Sequence, residues 1–186
     1  RIEFDSATEV DLSTRPFRVK TWGNEYLAET LVLSTGATPR HLDIPGETEF
    51  TGRGVSYCAT CDGHFFQGKD VVVVGGGDSA LEEGLFLTRY VNSVKIIHRR
   101  DELRAGAILQ KRAFNNPKVE FIWDTVPTEI KGDGIVDTIT LKNVKTGGTT
   151  DLSTEGVFIF IGHIPNTDLY QGQLELDDNG YVLADK

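Results

Sequence analysis

The sequence contains no methionine and only two cysteines, Cys58 and Cys61, among 186 residues. So small a thiol inventory excludes a disulfide-rich secreted scaffold and makes a reducing cytoplasm the expected compartment. A reading frame opens with methionine, so a chain that starts at Arg1 and holds none is expected to be a piece of a longer protein. No apolar run approaches the roughly 20 residues that span a bilayer, and no signal-peptide pattern opens the chain. Positive charge is short as well. Nineteen Lys and Arg face 28 Asp and Glu, and the formal net charge of −9 argues against nucleic acid or an anionic membrane as a partner.

What is present describes an ordinary globular chain. Its length suits one domain, or one domain with pieces of another. With 39% apolar and 25% charged residues, disorder is not expected. Twenty glycines exceed average usage and point to tight turns or close backbone approaches.

The first 36 residues read as β-structure. RPFRVKTW (15–22) alternates in part, and YLAETLVLSTG (26–36) ends in an apolar strand closed by Thr35 and Gly36. Residues 37–54 carry prolines and glycines with weak periodicity and read as a connector. DVVVV (70–74) is a short β-branched run between turn residues, as expected of a strand buried on both faces. A helix over 78–90, a strand over 94–100, a helix over 102–116 and a strand over 119–125 follow. From 126 the pattern turns antiparallel, with a turn at TGGT (146–149), before GVFIFIG (156–162) returns as a strand. The tail from 163 reads as loop. The expected fold class is α/β: a Rossmann-like parallel sheet with an antiparallel β-meander inserted before its last strand, plus partial β segments of a second domain.

VVVVGGGDSALEEG (71–84) is strand, turn and helix, and Gly75, Gly77 and Ala80 fill the three positions of G-x-G-x-x-G/A. The first glycine permits the tight turn, the second lets backbone approach a pyrophosphate, and the small third residue brings helix against strand. The helix start, with Asp78 or Ser79 as its N-cap, aims free N–H groups at phosphate. Enzymes selective for NAD place an acidic residue about 20 residues further on, where it holds the ribose 2′-OH. Here that place reads IIHRRDELRA (96–105), with His98, Arg99 and Arg100 at the strand end and Arg104 a helical turn beyond. Guanidinium groups suit a 2′-phosphate, so NADP is preferred over NAD. Asp101 is the contrary residue, and a solvated basic face is the bland alternative.

SYCATCDGHFF (56–66) holds both cysteines, three apart. A structural zinc site needs four ligands, and only His64 stands nearby as a stray candidate, so no metal is expected. A buried pair of small hydrophobes remains open, but a redox dithiol is favoured, since this spacing brings two sulfurs within disulfide reach. Asp62 could move a proton to or from a thiolate, or could serve as a turn or N-cap residue. Hydride from a nicotinamide and thiol–disulfide chemistry are normally joined by a flavin.

The segments TLVLSTGATPR, GRGVSYCATCDG, VVVVGGGDSALEEG, IIHRRDELRA, GVFIFIGHIPNT and GQLEL, in this order over nearly the whole chain, resemble the low-molecular-weight, bacterial-type thioredoxin reductases. The resemblance implies that NADPH reduces FAD, FAD reduces the CxxC disulfide, and the dithiol reduces thioredoxin. It implies Cys61 as the thiol facing the flavin, Cys58 as the one attacking the partner, and Asp62 as acid–base. Gly75, Gly76, Gly77, Asp78, Ser79 and Ala80 would line the nucleotide's phosphates, with His98, Arg99, Arg100 and Arg104 toward the 2′-phosphate and Thr35 and Gly36 on the flavin side. It further implies a cytoplasmic homodimer. On this resemblance, residues 1–39 are a partial FAD-domain segment and connector, 40–165 the NADPH-binding domain with the dithiol, and 166–186 a return segment. The family's own FAD glycine loop and its closing Gly-Asp segment have no counterpart here, so the chain alone is expected to retain no FAD and to be inactive. Two alternatives stay open: a stand-alone NADP(H)-binding module without turnover, or a reductase for another dithiol partner, as in a peroxiredoxin system.

Overall fold

The computed structural model describes residues 2–184. Four strands open the chain: β1 (Ala7–Asp11), β2 (Phe17–Thr21), β3 (Glu25–Ala28) and β4 (Ala37–Pro39). Next come β5 (Val55–Ser56), α1 (Ala59–Asp62), β6 (Asp70–Val74), α2 (Asp78–Leu87), β7 (Ser93–Ile97), α3 (Ala107–Phe114) and β8 (Val119–Ile122). The chain continues through β9 (Thr125–Gly132), β10 (Val136–Asn143), β11 (Thr149–Ser153), β12 (Gly156–Ile159) and β13 (His163–Pro165). It divides into two compact units, one formed by residues up to Thr38 and from His163 onward, the other by Pro39–Gly162.

The second unit is built on a parallel sheet of order β5-β12-β6-β7-β8. A parallel strand is covered on both faces, which is why β6 is valine without interruption. Val71 and Val73 join a core with Ala80, Leu81 and Leu87 of α2. Val72 and Val74 point the other way, into a core with Ile130 of β9 and Ile139 and Leu141 of β10. Helices therefore cover one face and the antiparallel sheet β11-β10-β9 the other. The Rossmann-like sheet with its inserted meander is as expected.

Local departures have local causes. Helix α2 stops at Leu87 rather than near 90, because the Thr88 hydroxyl donates to Leu85 O at 2.7 Å and Lys118 Nζ takes the carbonyls of Thr88 and Val91 at 2.9 and 2.7 Å. Helix α3 begins at Ala107 rather than 102, since the amides of 104–106 are bonded to the glycine loop instead of to a helix (below). The apolar strand expected through 36 ends at Ala28. Among the described residues nothing pairs with 30–34, Val32 is 87% exposed, and a strand needs a neighbour to satisfy its backbone.

In the first unit β1, β2 and β3 form an antiparallel sheet, and β4 pairs with β13. Gln173 closes it onto β1, accepting from Leu12 N and donating to Val10 O, each at 2.7 Å. Among the described residues no helix is long and apolar enough to cross a membrane.

The connector is held by one buried carboxylate. Glu47, 2% exposed, accepts from Leu42 N at 3.0 Å, Asp43 N at 2.7 Å and the Tyr57 hydroxyl at 2.7 Å. Burial pushes its carboxyl up, but the hydrogen bonds outweigh this and hold it below the usual carboxylate range. Burial and the same carboxylate push the Tyr57 phenol up. Glu47→Ala strands two backbone donors and a phenol, and is expected to cost about 2–3 kcal/mol in urea unfolding. Because the folded group is depressed, the stability it contributes is complete above its ordinary value of 4.5 and lost as pH falls below it, so the gap between the two proteins should close in acid.

Candidate functional site

Strands β6 and β7 each run directly into a residue of the expected site. Gly75 follows β6 and His98 follows β7, at the carboxyl ends of a parallel sheet, where open α/β folds bind ligands. Gly75 has φ +147°, and a Cβ there would collide with the Phe160 carbonyl and approach the Ala80 methyl to 2.7 Å. Ala80, fully buried, is thus the small residue that lets α2 close on the strand. Gly76 is bare because a Cβ would run into the His98 imidazole. At Gly77 an added Cβ would meet nothing within 4 Å, so that face of the backbone is open.

The start of α2 is free for an anion. Gly77 caps it without a side-chain hydrogen bond, and the first turn's N–H groups have no intrahelical acceptor. Neither expected cap acts as one: Asp78 lies inside the helix, and its Oδ1 accepts from Gly106 N at 2.7 Å. That bond has two companions. Gly76 O accepts from Arg104 N at 2.8 Å and from Ala105 N at 3.3 Å. The arginine loop is thereby fixed against the glycine loop through its backbone, leaving Arg99, Arg100 and Arg104 exposed. Among the described residues none of these three guanidiniums is in an ion pair.

His98 stands apart from its neighbours. It is 5% exposed, and its Nε2 has no hydrogen-bond partner among the described residues. Burial first, and then the charges of Arg104, Arg100 and Arg99, hold it below its ordinary value of 6.5, against a hydrogen bond to the Glu102 backbone. An open glycine cradle, an uncapped helix start, an unpartnered buried ring nitrogen and three unpaired guanidiniums all fit a nucleotide carrying an extra phosphate. If bound, NADPH would lie on Gly75–Ala80 and the arginine loop.

Cys58 and Cys61 are joined by a disulfide, with Cα atoms 5.3 Å apart. Cys58 opens α1, its Sγ accepts from Cys61 N at 3.1 Å, and Cys61 is the exposed member of the pair. Two residues passed over in the sequence position this turn. The Ser56 hydroxyl, in a buried residue, accepts from Cys58 N at 3.1 Å and donates to Asp62 Oδ2 at 2.7 Å. Glu83 Oε2 on α2 accepts from Ala59 N at 3.1 Å, tying the dithiol turn to the helix that opens at the glycine loop. Asp62 makes no side-chain cap, so its carboxylate is engaged by Ser56 rather than by a helix end. Beside it a hollow of about 260 Å³ is lined in part by Arg53, Phe65 and Lys69. Ser56 and Glu83 carry no motif signal, since only the folded turn brings them to backbone N–H groups. Thr35 and Gly36 belong to the other unit, where their carbonyls accept from Asn166 at 3.0 Å each.

A disulfide across the short helix α1, tied through Glu83 to the helix that starts at a phosphate-type glycine loop, is decisive together with the comparisons. The family described as "Pyridine nucleotide-disulphide oxidoreductase" matches residues 2–186. The chain belongs to this family. It is 48% identical over 187 residues to a thioredoxin reductase of Peptoclostridium acidaminophilum, covering 97% of this chain and 59% of that protein. It is 50% identical over 184 residues to one of Rickettsia typhi, with the same coverage, 97% and 59%. Among solved structures, thioredoxin reductase of Lactococcus lactis (FR conformation) superposes with a TM-score of 0.88 at 44% identity, covering 98% of this chain and 60% of that one. The chain thus spans about 59% of the length of the curated relatives it matches. The resemblance read from CATCDG and HRRDELRA is borne out at the level of family and fold.

The buried imidazole gives a sign that can be measured. With its folded value held below the ordinary 6.5, His98 takes up a proton in the unfolded chain first, so stability falls as pH drops below 6.5. Urea midpoints from pH 8 to 5 should decline more steeply for the wild type than for His98→Asn, with a difference of up to about 1.4 kcal/mol per pH unit.

Proposed function

We propose that this chain carries the NADPH-binding and dithiol-bearing part of a thioredoxin-disulfide reductase. The observation that carries the reading is the Cys58–Cys61 disulfide, tied through Glu83 to the helix whose N-terminus faces the glycine and arginine loops. Bound NADPH supplies a hydride, and with one proton this converts a disulfide to two thiols and leaves NADP⁺. The chain's own contribution is to hold and to orient. Gly75 and Gly77 admit the pyrophosphate, the first turn of α2 donates to it, and Arg99, Arg100 and Arg104 take the 2′-phosphate. Ser56 and Asp62 fix the turn that presents Cys58 and Cys61, and in this reading the Asp62 carboxylate serves the thiols as acid–base.

The flavin implied by the resemblance would relay electrons between nicotinamide and disulfide. Residues 2–184 offer Thr35 and Gly36 but no second glycine-rich strand–turn–helix, so what these residues do concerns the nucleotide and the dithiol. In this reading the parent enzyme is a cytoplasmic homodimer with thioredoxin as its dithiol partner. The relatives' shared description as thioredoxin reductases favours thioredoxin over a peroxiredoxin-type partner.

Calorimetry should detect NADPH binding to the chain, with NADH much weaker. Replacing Arg99 and Arg100 by Ala should weaken NADPH by about tenfold per guanidinium and leave NADH nearly unchanged. In a thiol-release assay with thioredoxin and NADPH, run with and without added FAD, any turnover should vanish in Cys58→Ser and in Cys61→Ser. Turnover that survives either serine variant, or NADH binding as tight as NADPH, overturns the reading.

A further inference from the structure

Asp101 is the residue that should spoil a 2′-phosphate site. It stands between Arg100 and Arg104 in the exposed loop, and a carboxylate at this end of β7 is what NAD-selective folds use to accept the ribose 2′-OH. The loop's charges do not favour a polyanion as strongly as its arginines suggest. Against Arg99, Arg100 and Arg104 stand Asp101, Glu102 and, reaching in from beyond β8, Asp124.

The turn between β10 and β11 supplies the missing cation. Lys145 Nζ lies 2.7 Å from Asp101 Oδ2 and 3.0 Å from Asp124 Oδ2. Its position is built by backbone rather than by a long side chain's chance reach. Asn143 Oδ1 accepts from Lys145 N at 3.0 Å and from Thr146 N at 2.9 Å, which fixes the turn. Asp124, at φ +52°, then fastens turn to loop: its N donates to Arg100 O at 3.2 Å, and its O accepts from Val144 N at 2.6 Å. The pairing is reciprocal, Lys145 holding the Asp101 carboxyl below the usual range and being itself raised by Asp101 first and Asp124 second.

We infer that Lys145, presented by the β10–β11 turn, is a positioning residue for cofactor selectivity: it sequesters Asp101, so that the arginine loop accepts a 2′-phosphate and rejects a bare 2′-hydroxyl. The inference deepens the proposed function and rests on its reading of the arginine loop as the 2′-phosphate site. Lys145 acts through Asp101, not as a fourth phosphate ligand. Removing it returns a free carboxylate to the arginine loop, where it repels a dianion over a range set by the Debye length, about 8 Å at physiological salt, and can accept from a 2′-hydroxyl.

The test is a double-mutant cycle read by calorimetry with NADPH and NADH as probes, on wild type, Lys145→Ala, Asp101→Asn and the double variant, with thermal melts alongside. Lys145→Ala is expected to weaken NADPH about three- to tenfold, leave NADH unchanged or tighter, and move the melting temperature little, because exposed ion pairs contribute little stability. On the Asp101→Asn background the same substitution should have no effect on NADPH, and Lys145→Arg should behave as wild type. The inference falls if Lys145→Ala weakens both nucleotides equally, if it changes neither, or if its effect persists with Asp101→Asn, which would make Lys145 act through Asp124 or as a direct ligand. It falls together with the arginine-loop reading if the wild type shows no preference for NADPH. A preference of undiminished size in Lys145→Ala overturns the inference alone.

Discussion

The carbonyl oxygen of Gly76 receives the backbone N–H groups of both Arg104 and Ala105, and on this shared acceptor the proposed nucleotide site depends. The glycine loop after β6 and the arginine loop after β7 are separate connections that could each move independently, as loops do. Bonded at Gly76, and again where Asp78 receives Gly106 N, they form one surface carrying both kinds of phosphate donor. Fixing a residue's backbone costs about 1–2 kcal/mol, so a loop ordered during folding spares the ligand that cost on binding. The arrangement also explains why the middle glycine is glycine. His98 packs where a Cβ of residue 76 would be, and it is buried while the next residue, Arg99, is exposed.

Helix α2 links this surface to the dithiol. Its N-terminus faces the nucleotide loop, its buried Leu81 and Leu87 seat it on the sheet, and Glu83 on its flank receives Ala59 N. A Cβ at Gly63, just past the cysteine turn, would touch Leu87 at 3.0 Å, so the turn lies close on the same helix. Ser56, at the end of the edge strand β5, then couples the Cys58 amide to the Asp62 carboxylate. The disulfide ring is thus pinned at both ends by polar bonds from two different elements of one sheet-and-helix body.

The parallel sheet, the meander and the glycine loop were legible because each is written locally: an uninterrupted valine run, alternating strands around TGGT, and glycines in a strand–turn–helix frame. Where legibility ended, distance in sequence was the cause. The periodicity of ELRAGAILQKRAFNN suits a helix from 102, yet the amides of 104–106 find better-placed acceptors in residues almost 30 positions earlier, and α3 waits until Ala107. The apolar LVLS reads as a strand on propensity alone, but a strand exists only with a neighbour, and none of the described residues provides one. Ser56 and Glu83 act by touching backbone N–H groups, which leaves no mark on residue type or spacing.

Charge makes the same point in a sharper form. A chain of net charge −9 must concentrate positive potential to attract a nucleotide polyanion, and counting arginines in the 98–104 stretch overstates how far it does so. Asp101 lies in that loop and Asp124 is bonded to it through its backbone, and what decides the influence of their carboxylates is whether a cation already occupies them. Lys145 comes from 44 residues beyond Asp101 and is delivered by the meander inserted before the last parallel strand. The β9–β11 insertion therefore covers the second face of the sheet and, at its far turn, pairs Lys145 with Asp101 and Asp124 at the strand ends. A fold element read only as packing thus also carries the cation that meets both carboxylates.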